Sequence, residues 1–271
     1  MSSCAKKMIR VFLLCFLYSG CGSLGIGNET ADRVFTEANR LVSEGDLRRA
    51  EEKFLWIIRS MPRNPRSYNN LGNLYFKKGE IDKAGMQYRK ALELNSGYLI
   101  ARVNLAVILL KQGKTEDALQ MLQEGLKPYP ENAELQNGLG ICELRLGNIQ
   151  KAIQHFRKAI DIQGPNPLFY NNLAYAYAES NDFLNEALKL CKDALKAEPQ
   201  NGIVLDTLGW VYFKRGIFDQ STEYLRKALD LKPGENAVRS HLVTVYRWIG
   251  ENEKAMSLIK EGSRIPGQGM P

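Results

Sequence analysis

Cysteine and histidine are the residue types of this chain that could support nucleophilic, acid–base or metal chemistry. The sequence has five cysteines and two histidines, His155 and His241. Neither histidine has a partner at a spacing typical of a catalytic or metal site, so we expect both to be surface or groove residues. Cys142 and Cys191 take helix positions that pack, and the cysteine spacings resemble no disulfide framework or zinc motif. The pattern therefore predicts buried free thiols, no enzyme activity, no metal and no cofactor.

One further cysteine, Cys21, is a candidate for covalent modification because of the segment before it. Lys6, Lys7 and Arg10 precede an apolar run at residues 11–18, and small residues follow as far as Cys21. This order is typical of a secretory signal. The apolar run is too short for a membrane-spanning helix, which needs about 20 apolar residues.

The segment Leu17-Tyr18-Ser19-Gly20-Cys21 resembles a bacterial lipobox, although Tyr18 stands where that family usually has leucine. The resemblance implies a signal peptide at residues 1–20, lipidation of Cys21, and a short tether at residues 21–30. Residue 22 is glycine rather than aspartate, which under the diderm sorting rule of that family implies an outer-membrane location facing the periplasm. Ordinary secretion, an uncleaved anchor and a cytoplasmic start are the alternatives.

A repeat of 34 residues governs the rest of the chain. A small residue recurs in one slot, with a single extra residue between the fourth and fifth copies. These residues are Ala50, Ala84, Ala118, Ala152, Ala187, Ser221 and Ala255. A second register precedes it by five residues, or by six in the fifth copy, and consists of Gly45, Gly79, Gly113, Gly147, Asn181, Gly216 and Gly250. Such a period predicts a solenoid, whose units bury their apolar faces only against neighbouring units.

The second repeat, residues 65–98, shows that each unit holds two helices. Leu71, Leu74 and Tyr75 recur at helical spacing, and a glycine suited to a left-handed cap follows at Gly79. A second amphipathic helix runs from about residue 82 to residue 94, and a small residue on each helix would let the two backbones approach closely. The chain is therefore predicted to be all-α.

This pattern resembles the tetratricopeptide repeat. In the second unit the family signature is filled by Tyr68, Leu71, Gly72, Tyr75, Ala84, Tyr88 and Ala91. The resemblance implies a right-handed superhelical solenoid of seven units over residues 31–265, followed by a polar tail at residues 266–271. The predicted unit starts are Ala31, Pro65, Leu99, Ala133, Pro167, Gly202 and Asn236.

Composition argues against several classes of function. The chain is 44% hydrophobic and 25% charged, which favours a folded protein over a disordered one. Its formal charge of +7 falls by three when the basic residues of the signal are removed. Acidic and basic residues are interleaved, as on ordinary solvated helix faces, so we expect no nucleic-acid binding. No small-molecule substrate is predicted.

By resemblance, the first helix of each unit lines a concave groove, and its second, fifth, ninth, twelfth and thirteenth residues point into that groove. The predicted partner-binding residues are Asn69, Asn73, Val103, Val107, Asn137, Ile141, Asn171, Tyr175, Trp210 and Phe213. Asparagine side chains could bond the backbone of a peptide, and apolar neighbours could supply buried area. This combination suits a segment of another protein.

A packing role is the alternative for part of this set. Asn70, Asn104 and Asn172 fall one residue after a groove position, where an amide could bridge neighbouring helices. Trp210 and Phe213 could pack within the solenoid instead of contacting a partner.

The predicted function is a lipid-anchored scaffold that binds another envelope protein. In size, signal and repeat number the chain resembles the pilotin-like lipoproteins of type IV pilus systems, which implies a role in pilus or secretin assembly. The alternatives are an adaptor for peptidoglycan enzymes or envelope proteases, or a cytoplasmic adaptor if the signal is not used.

Overall fold

The computed structural model describes residues 26–263 of the chain. The predicted signal, Cys21 and the predicted tail at residues 266–271 lie outside the described residues. Residues 26–263 form fourteen α-helices and contain no strand, which confirms the predicted all-α class. The helices are α1 (Ile26–Glu44), α2 (Leu47–Ser60), α3 (Pro65–Lys77), α4 (Ile81–Leu94), α5 (Leu99–Lys111), α6 (Thr115–Leu126), α7 (Ala133–Arg145), α8 (Ile149–Gln163), α9 (Pro167–Ser180), α10 (Leu184–Ala197), α11 (Gly202–Lys214), α12 (Phe218–Leu231), α13 (Asn236–Trp248) and α14 (Asn252–Ser263).

The helices form seven consecutive pairs, and the odd-numbered helix is the first of each pair. Six of the seven first helices begin at the predicted first residue of a unit. The exception is α1, which begins at Ile26 rather than Ala31. Residues 26–30, which we expected to be part of the tether, are therefore the first residues of a helix.

The described residues divide into two compact units. The N-terminal unit is residues 26–129 and holds α1–α6, and the C-terminal unit is residues 130–263 and holds α7–α14. Within each unit a helix packs against its neighbours along the chain. In the C-terminal unit α9 also packs against α11, so side chains of successive first helices lie close together there.

Local sequence signals explain where the helices start and stop. Asn64 is the N-cap of α3, where its side-chain oxygen accepts a hydrogen bond from the backbone N–H of Arg66 at 2.9 Å, and Pro65 follows at the first helical position. At the other end, Gly79 has φ +81° and the N–H of Glu80 donates to the carbonyl of Tyr75 at 2.9 Å. This is the hydrogen bond of a Schellman cap, which requires a left-handed residue after the helix.

Paired helices approach each other closely where glycine, which has no Cβ atom, lies at their contact. A Cβ atom added at Gly72 would lie 2.5 Å from Cε1 of Tyr88, and one added at Gly140 would lie 2.5 Å from Cε1 of Phe156. The repeated small-residue slot is also fully packed, since Ala84 is 0% exposed. The small residues therefore admit an aromatic ring at the helix–helix contact, as the repeat pattern predicted.

The extra residue of the fifth pair lies in the turn between α9 and α10. Asn181 has φ 58° and Phe183 has φ 52°, and these are the two non-glycine residues with positive φ among residues 26–263. Six turns of this type use glycine at the first left-handed position, and this one uses asparagine, the residue that tolerates that region best after glycine. The insertion therefore lengthens a turn and leaves the flanking helices intact.

The cysteine prediction is confirmed for the two cysteines that the structure describes. Cys142 and Cys191 are both 0% exposed and carry free thiols. Burial raises the pKa of Cys142 to about 12 and raises that of Cys191 as well, so both stay protonated at neutral pH. Across residues 26–263, no helix combines the length and apolar character that a membrane crossing needs.

Candidate partner-binding surface

Polar side chains link successive first helices at a fixed spacing of 35 residues. The sixth residue of one unit bonds to the fifth residue of the unit before it. Residues 26–263 include three such pairs: Asn69 with Asn104, Asn137 with Asn172, and Asp206 with His241. Because these residues are buried, each pair satisfies polar groups that would otherwise be costly to remove from water.

In the N-terminal unit the amide pair is part of a small network. Nδ2 of Asn104 donates to Oδ1 of Asn69 at 2.9 Å and to Oδ1 of Asn73 at 3.1 Å. Asn73 also accepts a hydrogen bond from the hydroxyl of Tyr88 at 2.8 Å. This geometry confirms that Asn104 bridges helices. The side-chain oxygens of Asn69 and Asn73, which we expected to serve a bound peptide, already accept hydrogen bonds from the protein.

The predicted apolar groove residues of the N-terminal unit have little accessible surface. Val103 and Val107 in α5 are each 2% exposed, and Asn69 in α3 is 3% exposed. Every residue of α5 from Val103 to Leu110 is buried, and all of them except Asn104 are apolar, as expected for a helix enclosed by its neighbours. Partner contact at these positions stays a prediction, but the side chains themselves offer almost no surface for it.

The C-terminal unit repeats the amide pair in α7 and α9. Nδ2 of Asn172 donates to Oδ1 of Asn137 at 2.8 Å, which confirms the bridging interpretation of Asn172. Nδ2 of Asn137 and Oδ1 of Asn171 are buried without a hydrogen-bond partner among residues 26–263. Ile141 is 1% exposed and Tyr175 is 8% exposed, so four of the predicted groove residues in this unit are buried: Asn137, Ile141, Asn171 and Tyr175.

His241 lies in a setting that the sequence pattern did not predict. It is 7% exposed, and its Nδ1 lies 3.0 Å from Oδ1 of Asp206, which is itself 2% exposed. Its ring stacks on that of Trp210, with centroids 4.3 Å apart and planes at 17°. The expectation of a surface or groove histidine without a partner was therefore wrong for His241. The partner was missed because it is 35 residues away, a spacing set by the repeat and not by any catalytic or metal motif.

His155 also has a polar partner. His155 lies on α8 and is half-buried, and its Nδ1 lies 2.7 Å from Oε1 of Gln136 on α7. Burial lowers the pKa of His155, because the charged imidazolium is poorly solvated there. The neutral ring is consequently the form that the fold favours.

Three aromatic side chains at the ends of α11 and α13 form what we call the aromatic surface: Trp210, Phe213 and Trp248. The rings of Trp210 and Phe213 stack with centroids 4.9 Å apart, and the ring of Trp248 meets Phe213 edge-on at 5.9 Å and 88°. Nε1 of Trp210 donates to Oε1 of Glu179 at 2.7 Å. Trp210 is therefore held by packing and by a hydrogen bond.

Accessibility differs sharply across this surface. Trp248 is 70% exposed, whereas Trp210 and Phe213 are half-buried and Tyr175 is 8% exposed. An exposed tryptophan backed by packed aromatic rings is typical of a contact that a partner completes. Trp248 holds the thirteenth position of its unit, one of the positions that the family resemblance places in the groove.

Comparison with known proteins agrees with the repeat register. Tetratricopeptide repeat profiles match residues 64–131, 103–167 and 171–236, which together make up more than half of the chain. TPR repeat-containing protein PA4667 of Pseudomonas aeruginosa is 29% identical over 171 residues, covering 63% of this chain and 29% of its own length. Human tetratricopeptide repeat protein 6 is 27% identical over 183 residues, covering 66% of this chain and 35% of its own length. The chain spans about a third of the length of these two relatives.

Solved structures show the same architecture. The Cut9–Hcn1 hetero-tetramer of the APC/C superposes with a TM-score of 0.70 at 16% identity, over 89% of this chain and 44% of that one. A structure from the functional characterization of Pseudomonas aeruginosa pilF superposes with a TM-score of 0.62 at 19% identity, over 79% of this chain and 97% of that one. These likenesses concern the fold. Together with the profile matches, they show that the chain belongs to the tetratricopeptide repeat family, whose members act as scaffolds for protein–protein interaction.

Proposed function

We propose that this chain is a lipid-anchored scaffold facing the periplasm, and that its aromatic surface binds a segment of another envelope protein. The observation that carries the binding part is the exposure of Trp248, a tryptophan that is 70% accessible yet contacts the packed ring of Phe213. Tryptophan is enriched among residues that dominate binding energy, since it buries a large rigid area.

The proposed surface lies on the aromatic residues rather than on the asparagines. The amides of Asn69, Asn104 and Asn172 are bonded within the protein, so a partner would gain its affinity mainly from apolar contact. An apolar segment in extended or helical form could supply such contact. Assistance to type IV pilus or secretin assembly is part of the proposal, with the fold likeness to the pilF structure as its support.

Site-specific photocrosslinking in the native host would test the binding surface. A photoreactive residue replaces Thr244, which is exposed on α13 one helical turn before Trp248, and a control replaces Glu223, which is exposed on α12. We expect a partner adduct from position 244 that is absent from position 223 and is lost in Trp248→Ala. An adduct that survives Trp248→Ala would overturn the aromatic surface as the binding site. A secretin or pilus protein in the adduct would support the assembly role, and murein enzymes or proteases would contradict it.

Labelling with a radioactive fatty acid would test the anchor separately. We expect the wild-type chain to be labelled and to fractionate with outer membranes, and Cys21→Ala to be unlabelled. An unlabelled wild-type chain, or a labelled Cys21→Ala variant, would contradict the lipidation of Cys21.

A further inference from the structure

The turn between α9 and α10 combines an insertion with an exposed aromatic residue. Phe183 occupies the extra position, adopts φ 52°, and is 51% exposed. A bulky residue in the left-handed region is strained, and such strain is retained where the surroundings hold it in place. The other six turns of this type have glycine at the left-handed position and no aromatic residue between the two helices.

Two side chains hold the ring of Phe183 in a defined orientation. Its centroid lies 5.1 Å from that of Tyr177, and the guanidinium carbon of Arg157 lies 5.4 Å away over the ring. Nε of Arg157 donates to the hydroxyl of Tyr177 at 2.8 Å, so the three groups support one another. The phenyl ring is therefore held by these contacts, while about half of the residue stays exposed to solvent.

The exposed part of the ring borders a shallow open pocket of about 560 Å³. The pocket is lined by Asn181, Phe183, Leu184, Glu186, Lys214 and Arg215, which come from the inserted turn, the start of α10 and the end of α11. Lys214 and Arg215 have no ion-pair partner within the part of the chain that the structure describes. Two cations against the single carboxylate of Glu186 give the lining a net positive charge.

We propose that this pocket, the edge pocket, is a second docking site, which takes a short segment of another protein with an acidic residue next to an apolar one. The phenyl ring and Leu184 offer an apolar contact, and Lys214 and Arg215 offer charge complementarity to a carboxylate. The open shape suits a few residues of a chain rather than an enclosed small molecule. The edge pocket adjoins the aromatic surface through Lys214, whose Nζ lies 5.4 Å over the ring of Trp210, but it shares no lining residue with that surface and does not depend on the function proposed above.

Fluorescence anisotropy with the purified full chain would test this site. The probe is a fluorescein-labelled pool of hexapeptides with a fixed central Phe-Glu pair and random flanks, compared with a Phe-Gln pool and a Ser-Glu pool. We expect the Phe-Glu pool to bind more tightly than both others. Arg215→Glu should weaken its binding about fivefold to tenfold, because a favourable charge becomes a repulsive one, and Phe183→Ala should weaken it as well.

Arg226→Glu is the matched control, since Arg226 is exposed on α12 in the same unit and does not line the edge pocket. We expect this variant and Trp248→Ala to bind the Phe-Glu pool like the wild-type chain. Equal binding of the three pools, no binding, or unchanged binding by Arg215→Glu would overturn the proposal. Displacement of the pool by inorganic phosphate, but not by chloride of equal ionic strength, would show a simple anion site and would also overturn it. Binding to anionic phosphatidylglycerol vesicles that needs Arg215 and Phe183, with no preference among the pools, would assign the pocket to a lipid surface instead.

Discussion

The two units use the same 35-residue spacing to link their first helices. Both hold an amide pair at this spacing, and the C-terminal unit adds a second pair of different chemistry. In the N-terminal unit Asn104 joins Asn69 and Asn73 through neutral amide hydrogen bonds, and it belongs to α5, which is buried from Val103 to Leu110. In the C-terminal unit His241 joins Asp206, and its ring extends the stack on Trp210.

The comparison shows that the same pair of positions on successive first helices can have different roles. In the N-terminal unit the amide network links α3 to α5, because Asn104 donates hydrogen bonds to both Asn69 and Asn73. The imidazole of His241 satisfies a buried carboxylate and also supports the aromatic rings that lead to the exposed Trp248. The contrast predicts that substitutions at the Asp206–His241 pair and at the Asn69–Asn104 pair will lower the unfolding free energy by different amounts, each in its own unit.

The largest effect is expected for His241→Ala. It removes the imidazole bonded to Asp206 and the ring stacked on Trp210, so the C-terminal unit should lose about 3 kcal/mol of unfolding free energy. Hydrogen exchange read by mass spectrometry would localise the loss to peptides of residues 130–263. Ser240→Ala, on an exposed neighbour, is the control. Unchanged protection around Asp206 would show that the pair contributes little.

A smaller effect is expected for Asn104→Leu in the N-terminal unit. The leucine removes the donor shared by Asn69 and Asn73. Oδ1 of buried Asn69 loses this hydrogen bond, while Oδ1 of Asn73 keeps the one from Tyr88, and the change should cost about 2 kcal/mol. Urea unfolding, monitored by the hydrogen exchange of peptides from residues 26–129, would measure this loss of unfolding free energy. Gln120→Leu on the exposed face of α6 should change stability by less than about 0.5 kcal/mol. A loss as large as that of His241→Ala would remove the proposed difference between the pairs.

The small-residue slot offers a third comparison, because it holds alanine throughout the N-terminal unit and Ser221 once in the C-terminal unit. The hydroxyl of Ser221 is buried and has no hydrogen-bond partner within residues 26–263. Ser221→Ala should therefore stabilise the chain by about 1 kcal/mol, and Ala187→Ser should destabilise it by a similar amount. Thermal unfolding of the two variants would check both signs. Destabilisation by Ser221→Ala would mean that the hydroxyl is bonded after all.

The smallest effect concerns pH, and it should be confined to the C-terminal unit because both histidines of the chain lie there. The pKa of His155 is lowered in the folded protein. The unfolded chain therefore binds a proton first as the pH falls below about 6.5, and stability decreases from there downward. His155→Gln should reduce this decrease when unfolding is compared between pH 7.5 and pH 5. A pH dependence that is the same in His155→Gln would contradict the role of His155.

Much of the fold could be predicted from local signals. Six first helices start at the predicted residue, and four of them have an asparagine N-cap. Caps, prolines and left-handed glycines act within a few residues of themselves, so their effect can be predicted locally. The first helix was placed five residues too late, because residues 26–30 carry no cap or repeat signal that would distinguish a helix from a tether.

The candidate site could be predicted less well, for a different reason. The repeat register gave the positions of Asn69, Asn137 and Trp210, but burial depends on what the neighbouring helix presents. Asn104 and Asn172 could be anticipated as bridges, and Trp248 holds a groove position of the register, whereas the Asp206–His241 pair was not anticipated.

By itself, the sequence determined the helix pairs, their order and the slots where only a small residue fits, because these follow from periodicity and local backbone preference. The tertiary structure alone decided which polar residues at the fifth and sixth positions of the units bond to each other, which aromatic rings stack, and which rings remain accessible. The physical reason is that residues 35 apart meet only after two helices have packed side by side, and the accessible surface is whatever that packing leaves uncovered.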